Sequence, residues 1–332
     1  MTSRAGDFAG IDMTSRVDNL HELLIGYISE EGKVSMLEGV RFGYMEGEDG
    51  VRIHVTVLGE GEPLLLIHGY PETSAMWNKV APELAKRYTV VACDLRGYGE
   101  SDKPHAQPDH YTYCKKMMAA DLVKVMHGMG YDRFAVMGHD RGARVAYRMA
   151  LEWPEVVSKL VLLDIVSTID MYGCGHPDLC KAIFHWYFLP QEEPLVENLI
   201  MGDRVAYLNK QLGISAPPWE DEEAAKLYPD EVYQEYDNCF DALSVHGTTE
   251  DYRAGYTWDR KHDEWALAEG RKITAPTMAI WGSKGLVEKY FDPIECWSKY
   301  CTDLRGCTVD SGHFIPEENP EGLLQALKGF LL

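Results

Sequence analysis

The sequence predicts an α/β protein: a doubly wound, mostly parallel sheet with a helical cap inserted between its sixth and seventh strands. Two observations carry this. Short apolar runs such as "PLLLIHG", "YTVVACD", "FAVMG", "KLVLLD" and "TMAIWG" are separated by stretches of helical period, the alternation that builds a parallel sheet covered by helices. It breaks once, from Ile165 to roughly Gly270, where aromatic, proline and acidic residues dominate and the pattern is helical. Residues 37–165 and 271–332 are therefore assigned to a core and 166–270 to a cap.

The elements follow in order. Residues 1–36 carry little pattern, repeat "MTSR" at Met1 and Met13, and are expected to be an N-terminal extension outside the fold. "GVRFGYMEG" and "VRIHVTVLGEG" alternate apolar and polar residues between glycine-rich, acidic turns, as half-buried strands do. "PLLLIHG" is a buried third strand. A helix over about Ser74 to Lys86 leads to "YTVVACD", and a long helix near Tyr113 to Met129 leads to "FAVMG". "KLVLLD" ends at Asp164, "TMAIWG" and "GCTVD" follow the cap, and an amphipathic helix near Glu318 to Leu331 closes the chain.

Composition bounds the function. With 332 residues and 45% hydrophobic composition the chain can bury a large core. No run approaches the roughly 18 apolar residues of a membrane span, and the N-terminus has no apolar signal stretch, so a cytoplasmic protein is expected. The eight cysteines form no C-x-x-C pair and no metal-like spacing with histidine; reduced thiols and no metal or organic cofactor are expected. A net charge of −21 argues against nucleic acid or an anionic membrane as partner. Self-association as a homodimer stays open. An acidic shell repels anions, so a site for an anionic substrate must be locally basic.

Ligands in such sheets bind beyond the carboxyl ends of the strands. Four features fall there: "HGYP" after the third strand, Asp140 after the fifth, Asp164 after the sixth and His313 after the last. Singly, each has a bland reading as a turn, a cap or a structural histidine. Together they repeat the nucleophile, acid, base order of α/β-hydrolases, with Asp140 in the elbow "GHDRG" where serine is usual. After the seventh strand, the other place for the acid, stand Ser283 and Lys284, which leaves Asp164, with Glu288 in reserve. An aspartate nucleophile suits attack on saturated carbon, because it displaces a leaving group and becomes an ester. Water activated by His313, oriented by Asp164, then attacks that ester, with the backbone N–H groups of Tyr70 and Arg141 as the expected oxyanion hole. Arg141 and Arg144, three residues apart on the first helical turn, can both face one anion; the bland alternative is a pair of solvated arginines in a salt-bridge network.

The elbow "GHDRGAR", with "HGYPETSAMW", "DLRGYGESDKP", "LDIVST", "FHWYFLPQEEPLVENLI", "EDYRAG" and "GHFIPEENP", resembles the haloacetate dehalogenases, fluoroacetate dehalogenases among them, over roughly Gly39 to Phe330. The related epoxide hydrolases and haloalkane dehalogenases usually carry tryptophan after the nucleophile, where this chain has Arg141. The resemblance implies the α/β-hydrolase fold and hydrolysis of a small anionic 2-haloacid to a 2-hydroxyacid. It implies that Arg141 and Arg144 hold the substrate carboxylate and that His185, Trp186 and Tyr252 hold the departing halide. Tyr256, one turn from Tyr252, competes for that last place. The rivals are an epoxide hydrolase using the same Asp140, Asp164 and His313, and a small-molecule receptor that keeps the fold without turnover.

Overall fold

Eight strands form one sheet in the order β1-β2-β4-β3-β5-β6-β7-β8. They are β1 (Arg41–Glu46), β2 (Arg52–Leu58), β3 (Glu62–Ile67), β4 (Tyr88–Cys93), β5 (Phe134–His139), β6 (Val157–Leu163), β7 (Thr277–Gly282) and β8 (Leu304–Val309). The structure, a computed structural model, describes residues 40–332, so the N-terminal extension expected over 1–36 lies outside it. β2 pairs antiparallel with β1 and β4, and every other pair is parallel. Burial explains the two regimes: β2, in the antiparallel part of the sheet, alternates buried and open positions along most of its length, whereas β5 is buried at every position and reads as a continuous apolar run.

Chain order reverses around β3, which lies between β4 and β5, and this reversal opens a crevice at the carboxyl ends. Register aligns those ends, with Ile67 opposite Gly138, Gly138 opposite Leu162, and Leu163 opposite Ile280. His68, Asp140 and Asp164, one or two residues further along, are thereby gathered at one rim.

Helix α1 (Lys115–Gly128) packs against α2 (Asp140–Glu152), which is buried at all but its last residue. Between β6 and β7 the chain is built of helices joined by loops. It includes α3 (His185–Phe188), α4 (Leu195–Gly202), α5 (Arg204–Leu212), α6 (Asp230–Cys239) and α7 (Ala242–Ala254). α7 runs through a π turn at Gly255–Asp259 into α8 (Arg260–Ala268). Cap and core backbones touch where a Cβ on Gly247 would sit 2.7 Å from the Gly97 Cα, so both positions exclude a side chain.

Two expected helices are shorter than their patterns. Ser74–Lys86 divides into a 3-10 turn, Ser74–Lys79, and a short helix, Ala81–Leu84, with Pro82 in its first turn. Proline has no N–H to continue the ladder across that boundary. The closing helix covers Pro320–Ala326, capped by the Asn319 side chain accepting from the Gly322 amide at 2.9 Å.

Candidate active site

The elbow is built by close approach. A Cβ on Gly138 would lie 2.6 Å from the backbone of Gly142, and one on Gly142 would lie 2.3 Å from the carbonyl oxygens of Ile67 and His68. Only glycine at both positions lets β5 turn into α2 against β3, and the turn holds Asp140 at φ 44, a region that L-residues occupy at a cost of roughly 1–3 kcal/mol. The Tyr70 amide donates to Asp140 Oδ2 at 3.1 Å. The Arg141 amide, the other expected donor, lies in the first turn of α2, where no carbonyl four residues back is available to it. Burial works against the Asp140 charge, but the positive charges of His313, Arg144 and Arg141 prevail and hold its carboxyl below the ordinary carboxylate range.

Asp164, also at positive φ (51), accepts from the Gly282 amide at 3.0 Å through Oδ1 and meets His313 Nδ1 at 2.6 Å through Oδ2. Burial alone lowers a histidine, yet the Asp164 bond and the charges of Asp164 and Asp140 push His313 up to about 9. Glu288, the reserve acid, is engaged elsewhere, accepting from the Trp281 indole. The three sequence-predicted residues Asp140, Asp164 and His313 therefore share one rim.

The two arginines are both buried, at 0% and 1% exposure, so the solvated reading falls. They differ in a way that their spacing conceals. Arg141 closes a bidentate pair with Asp251 of α7, Nε to Oδ2 at 3.0 Å and Nη2 to Oδ1 at 2.6 Å, leaving only Nη1 without a partner. Lys115 also contacts Asp251. Arg144 donates through Nη1 to the Val166 carbonyl at 3.0 Å and the Thr168 hydroxyl at 3.3 Å, and its buried Nε has no partner. Among the described residues no carboxylate lies within ion-pair distance of Arg144.

The cap closes over this edge with aromatic groups. The Arg141 guanidinium stacks 4.0 Å over the Tyr252 ring and that of Arg144 4.5 Å over Trp186. Tyr252 meets Tyr70, His185 and Trp186 edge-on at 5.3, 5.7 and 6.0 Å. Tyr252 is wholly buried with its hydroxyl unpartnered, whereas Tyr256 is 48% exposed and packs on Tyr172. Burial pushes His185 down to about 3, so its ring is neutral, and its buried Nδ1 also lacks a partner. Arg141 Nη1, Arg144 Nε, His185 Nδ1 and the Tyr252 hydroxyl are thus all buried and unsatisfied, and each belongs to a residue coupled electrostatically to Asp140.

Sequence comparison agrees with this architecture. The alpha/beta hydrolase fold model matches residues 62–320. This chain belongs to the alpha/beta hydrolase fold family. It is 36% identical over 296 residues to a fluoroacetate dehalogenase of Burkholderia sp, covering 89% of this chain and 95% of the relative. To a soluble epoxide hydrolase of Corynebacterium sp. (strain C12) it is 31% identical, covering 85% and 94%. Among solved structures, an α/β hydrolase from Nostoc sp PCC 7120 superposes with a TM-score of 0.82 at 42% identity, covering 88% of this chain and 98% of that one. The hydrolase belongs to a neighbourhood in which both dehalogenases and epoxide hydrolases occur.

Sequence reasoning missed several groups of the hydrolase's site. Asp251 was visible only as the neighbour of Tyr252 in "EDYRAG", with nothing local to mark it as the partner of Arg141. Glu72, the residue after "HGYP", is buried and meets His139 Nδ1 at 2.9 Å. Cysteine spacing suggested no metal cluster, yet the fold brings ligand atoms of Cys114, Asp259 and His262 within 4.8 Å of one another. The Lys115 ammonium stands 4.0 Å from Asp259 Oδ2, and the Lys115 amide donates to Oδ1 at 2.8 Å, so protein groups already balance that carboxylate. Among the described residues no helix is long and apolar enough to cross a membrane, and all eight cysteines are unpaired.

Proposed function

We propose that the hydrolase removes halide from small 2-haloacids through an aspartyl ester. The observation that carries this reading is Arg144, a buried guanidinium beside the Asp140 carboxylate with an unpartnered Nε and no acid of its own. A buried cation without a counter-ion is costly unless an anion arrives, and a substrate carboxylate supplies one in the geometry that a guanidinium fork matches. Arg141, held by Asp251, adds the single N–H at Nη1.

In the first step Asp140 attacks the carbon bearing the halogen, the carbon–oxygen bond forms as the carbon–halogen bond breaks, and the electron pair leaves with the halide. His185, Trp186 and Tyr252 supply N–H and O–H donors to that anion. Esterification removes the Asp140 charge, one of the charges that hold the proton on His313, so the imidazole can become a base for the second step. His313 then takes a proton from water, the hydroxide attacks the ester carbonyl, and the oxyanion faces the Tyr70 and Arg141 amides. Collapse frees the 2-hydroxyacid and regenerates Asp140.

The same triad can open an epoxide, with the Tyr252 phenol donating to the ring oxygen, but an epoxide brings no anion to Arg144. Incubating purified protein with fluoroacetate, chloroacetate and styrene oxide, and following halide and diol, decides among these readings. Halide without diol supports the proposal; diol alone overturns it, and neither product returns the receptor reading.

A further inference from the structure

We propose that Glu72 and Glu317 are both undissociated acids in the resting enzyme, and that Glu72, acting through His139, is a positioning residue for His313 during ester hydrolysis. This rests on the aspartyl-ester reading above.

The buried ring of His139 lies between two oxygens, with Nε2 2.9 Å from the His313 carbonyl and Nδ1 2.9 Å from Glu72 Oε2. A carbonyl only accepts, so Nε2 carries the hydrogen. Burial and the nearby charge of His313 push His139 down to about 4, so the ring holds one hydrogen only. Nδ1 must then accept, and Glu72 Oε2 must donate.

Glu317 continues the chain. Its Oε1 accepts from the Tyr236 hydroxyl at 2.8 Å. Its Oε2 and Glu72 Oε1 are both buried without a hydrogen-bond partner, and the two carboxyl groups lie close enough for each to shift the other, so a hydrogen placed between them would satisfy both oxygens. Because the Glu72 hydrogen is committed to His139, the one between the acids belongs to Glu317. Every link is satisfied in one direction: Tyr236 to Glu317, Glu317 to Glu72, Glu72 to His139, and His139 to the His313 carbonyl. Ionising either acid sets two acceptors against each other.

The surroundings favour the neutral forms. Burial raises both acids, and the Asp140 charge raises Glu72 further, while the His313 charge opposes it. Tyr228 and Tyr236 face the pair from the cap. The Lys79 ammonium opposes the neutral form of Glu317 but is outweighed by burial, and it bonds to the Leu227 and Glu317 main-chain carbonyls at 2.6 and 2.8 Å rather than to the carboxyl group. A Cβ on Gly69 would lie 2.8 Å from Asp140 Cβ, 2.8 Å from His139 Nδ1 and 2.9 Å from Glu72 Oε2, so these groups crowd one point. The second step puts negative charge on an Asp140 oxygen there. An ionised Glu72 would repel that oxyanion and keep the proton on His313; a neutral one does neither.

Glutamine copies an undissociated acid, donating through its amide and accepting through its oxygen. Glu72→Gln, and the Glu72→Gln/Glu317→Gln double variant, are expected to keep kcat within about threefold of wild type. The double variant should also carry its activity to higher pH than wild type. Glu72→Leu breaks the chain and should lower kcat by about tenfold or more, with the rapid first-turnover release of halide intact. Infrared difference spectra of wild type against Glu72→Gln, recorded without substrate at neutral pH, should show the carbonyl stretch of an undissociated acid lost on substitution. Absence of that band, or a Glu72→Gln variant as impaired as Glu72→Leu, overturns the proposal. If wild type itself releases no halide while the band is present, the aspartyl-ester reading has failed and the assigned protonation has not.

Discussion

Arg141 and Asp251, 110 positions apart, form a buried bidentate pair that ties the elbow to the cap. The residue that follows the nucleophile position is thereby held by the residue that precedes Tyr252. Asp251 also faces Lys115, and Arg141 and Lys115 hold the Asp251 carboxyl down at about 2, against burial. Asp251→Asn leaves the buried Arg141 without its acid and Lys115 with only the longer contact to Asp259. We expect a loss of about 3–5 kcal/mol in urea unfolding, together with a raised KM for haloacetate. Unchanged stability would mean that the pair is not the clasp described.

The two arginines should fail differently. Arg144→Leu removes a cation that has no acid partner, so the fold should survive while kcat/KM for chloroacetate drops by about 2–5 kcal/mol in transition-state terms. Arg141→Leu strands Asp251 and should reduce stability as well as activity. Comparing chloroacetate with chloroacetamide on wild type checks the same point, since equal rates would show that no carboxylate is being held.

His313 makes stability depend on pH. Its folded value of about 9 exceeds the ordinary histidine value of 6.5, so the folded state binds the extra proton between them. The contribution is complete below about 6.5 and is lost as pH rises through about 9. Thermal unfolding should therefore show wild type losing stability from pH 7 to 10 more steeply than His313→Asn. Parallel curves would contradict the Asp164–His313 charge pairing.

Trp186→Phe keeps the ring beneath Arg144 but removes the indole N–H. Fluoride, the smallest halide and the strongest hydrogen-bond acceptor among them, depends most on donors. We expect kcat/KM for fluoroacetate to fall by more than tenfold, above about 1.4 kcal/mol, and less for bromoacetate. An equal fall for both would mean that Trp186 only shapes the pocket.

Much of this was legible in the sequence because a parallel sheet sends consecutive strand ends to one rim. Asp140, Asp164 and His313 each follow an apolar run, and register alone brings them together. Features set by distant partners were not legible. Nothing near Arg141 in the chain distinguishes it from Arg144; the distinction comes from Asp251 on α7. Tyr252 and Tyr256 lie one turn apart, and only the packing of α7 and the π turn buries the first and exposes the second. Glu72 and Glu317 look like surface acids until the segment after β3 places the first beside His139 and the segment after β8 places the second beside Glu72.

In the proposed reaction Asp140 becomes an ester that His313 is needed to resolve. Intact-mass and peptide mapping of His313→Asn after incubation with chloroacetate tests it most directly. A carboxymethyl increment should accumulate in stoichiometric amount on the peptide containing Asp140, with one halide released per chain and no further turnover. An increment on another residue, or a His313→Asn variant that turns over like wild type, would contradict it.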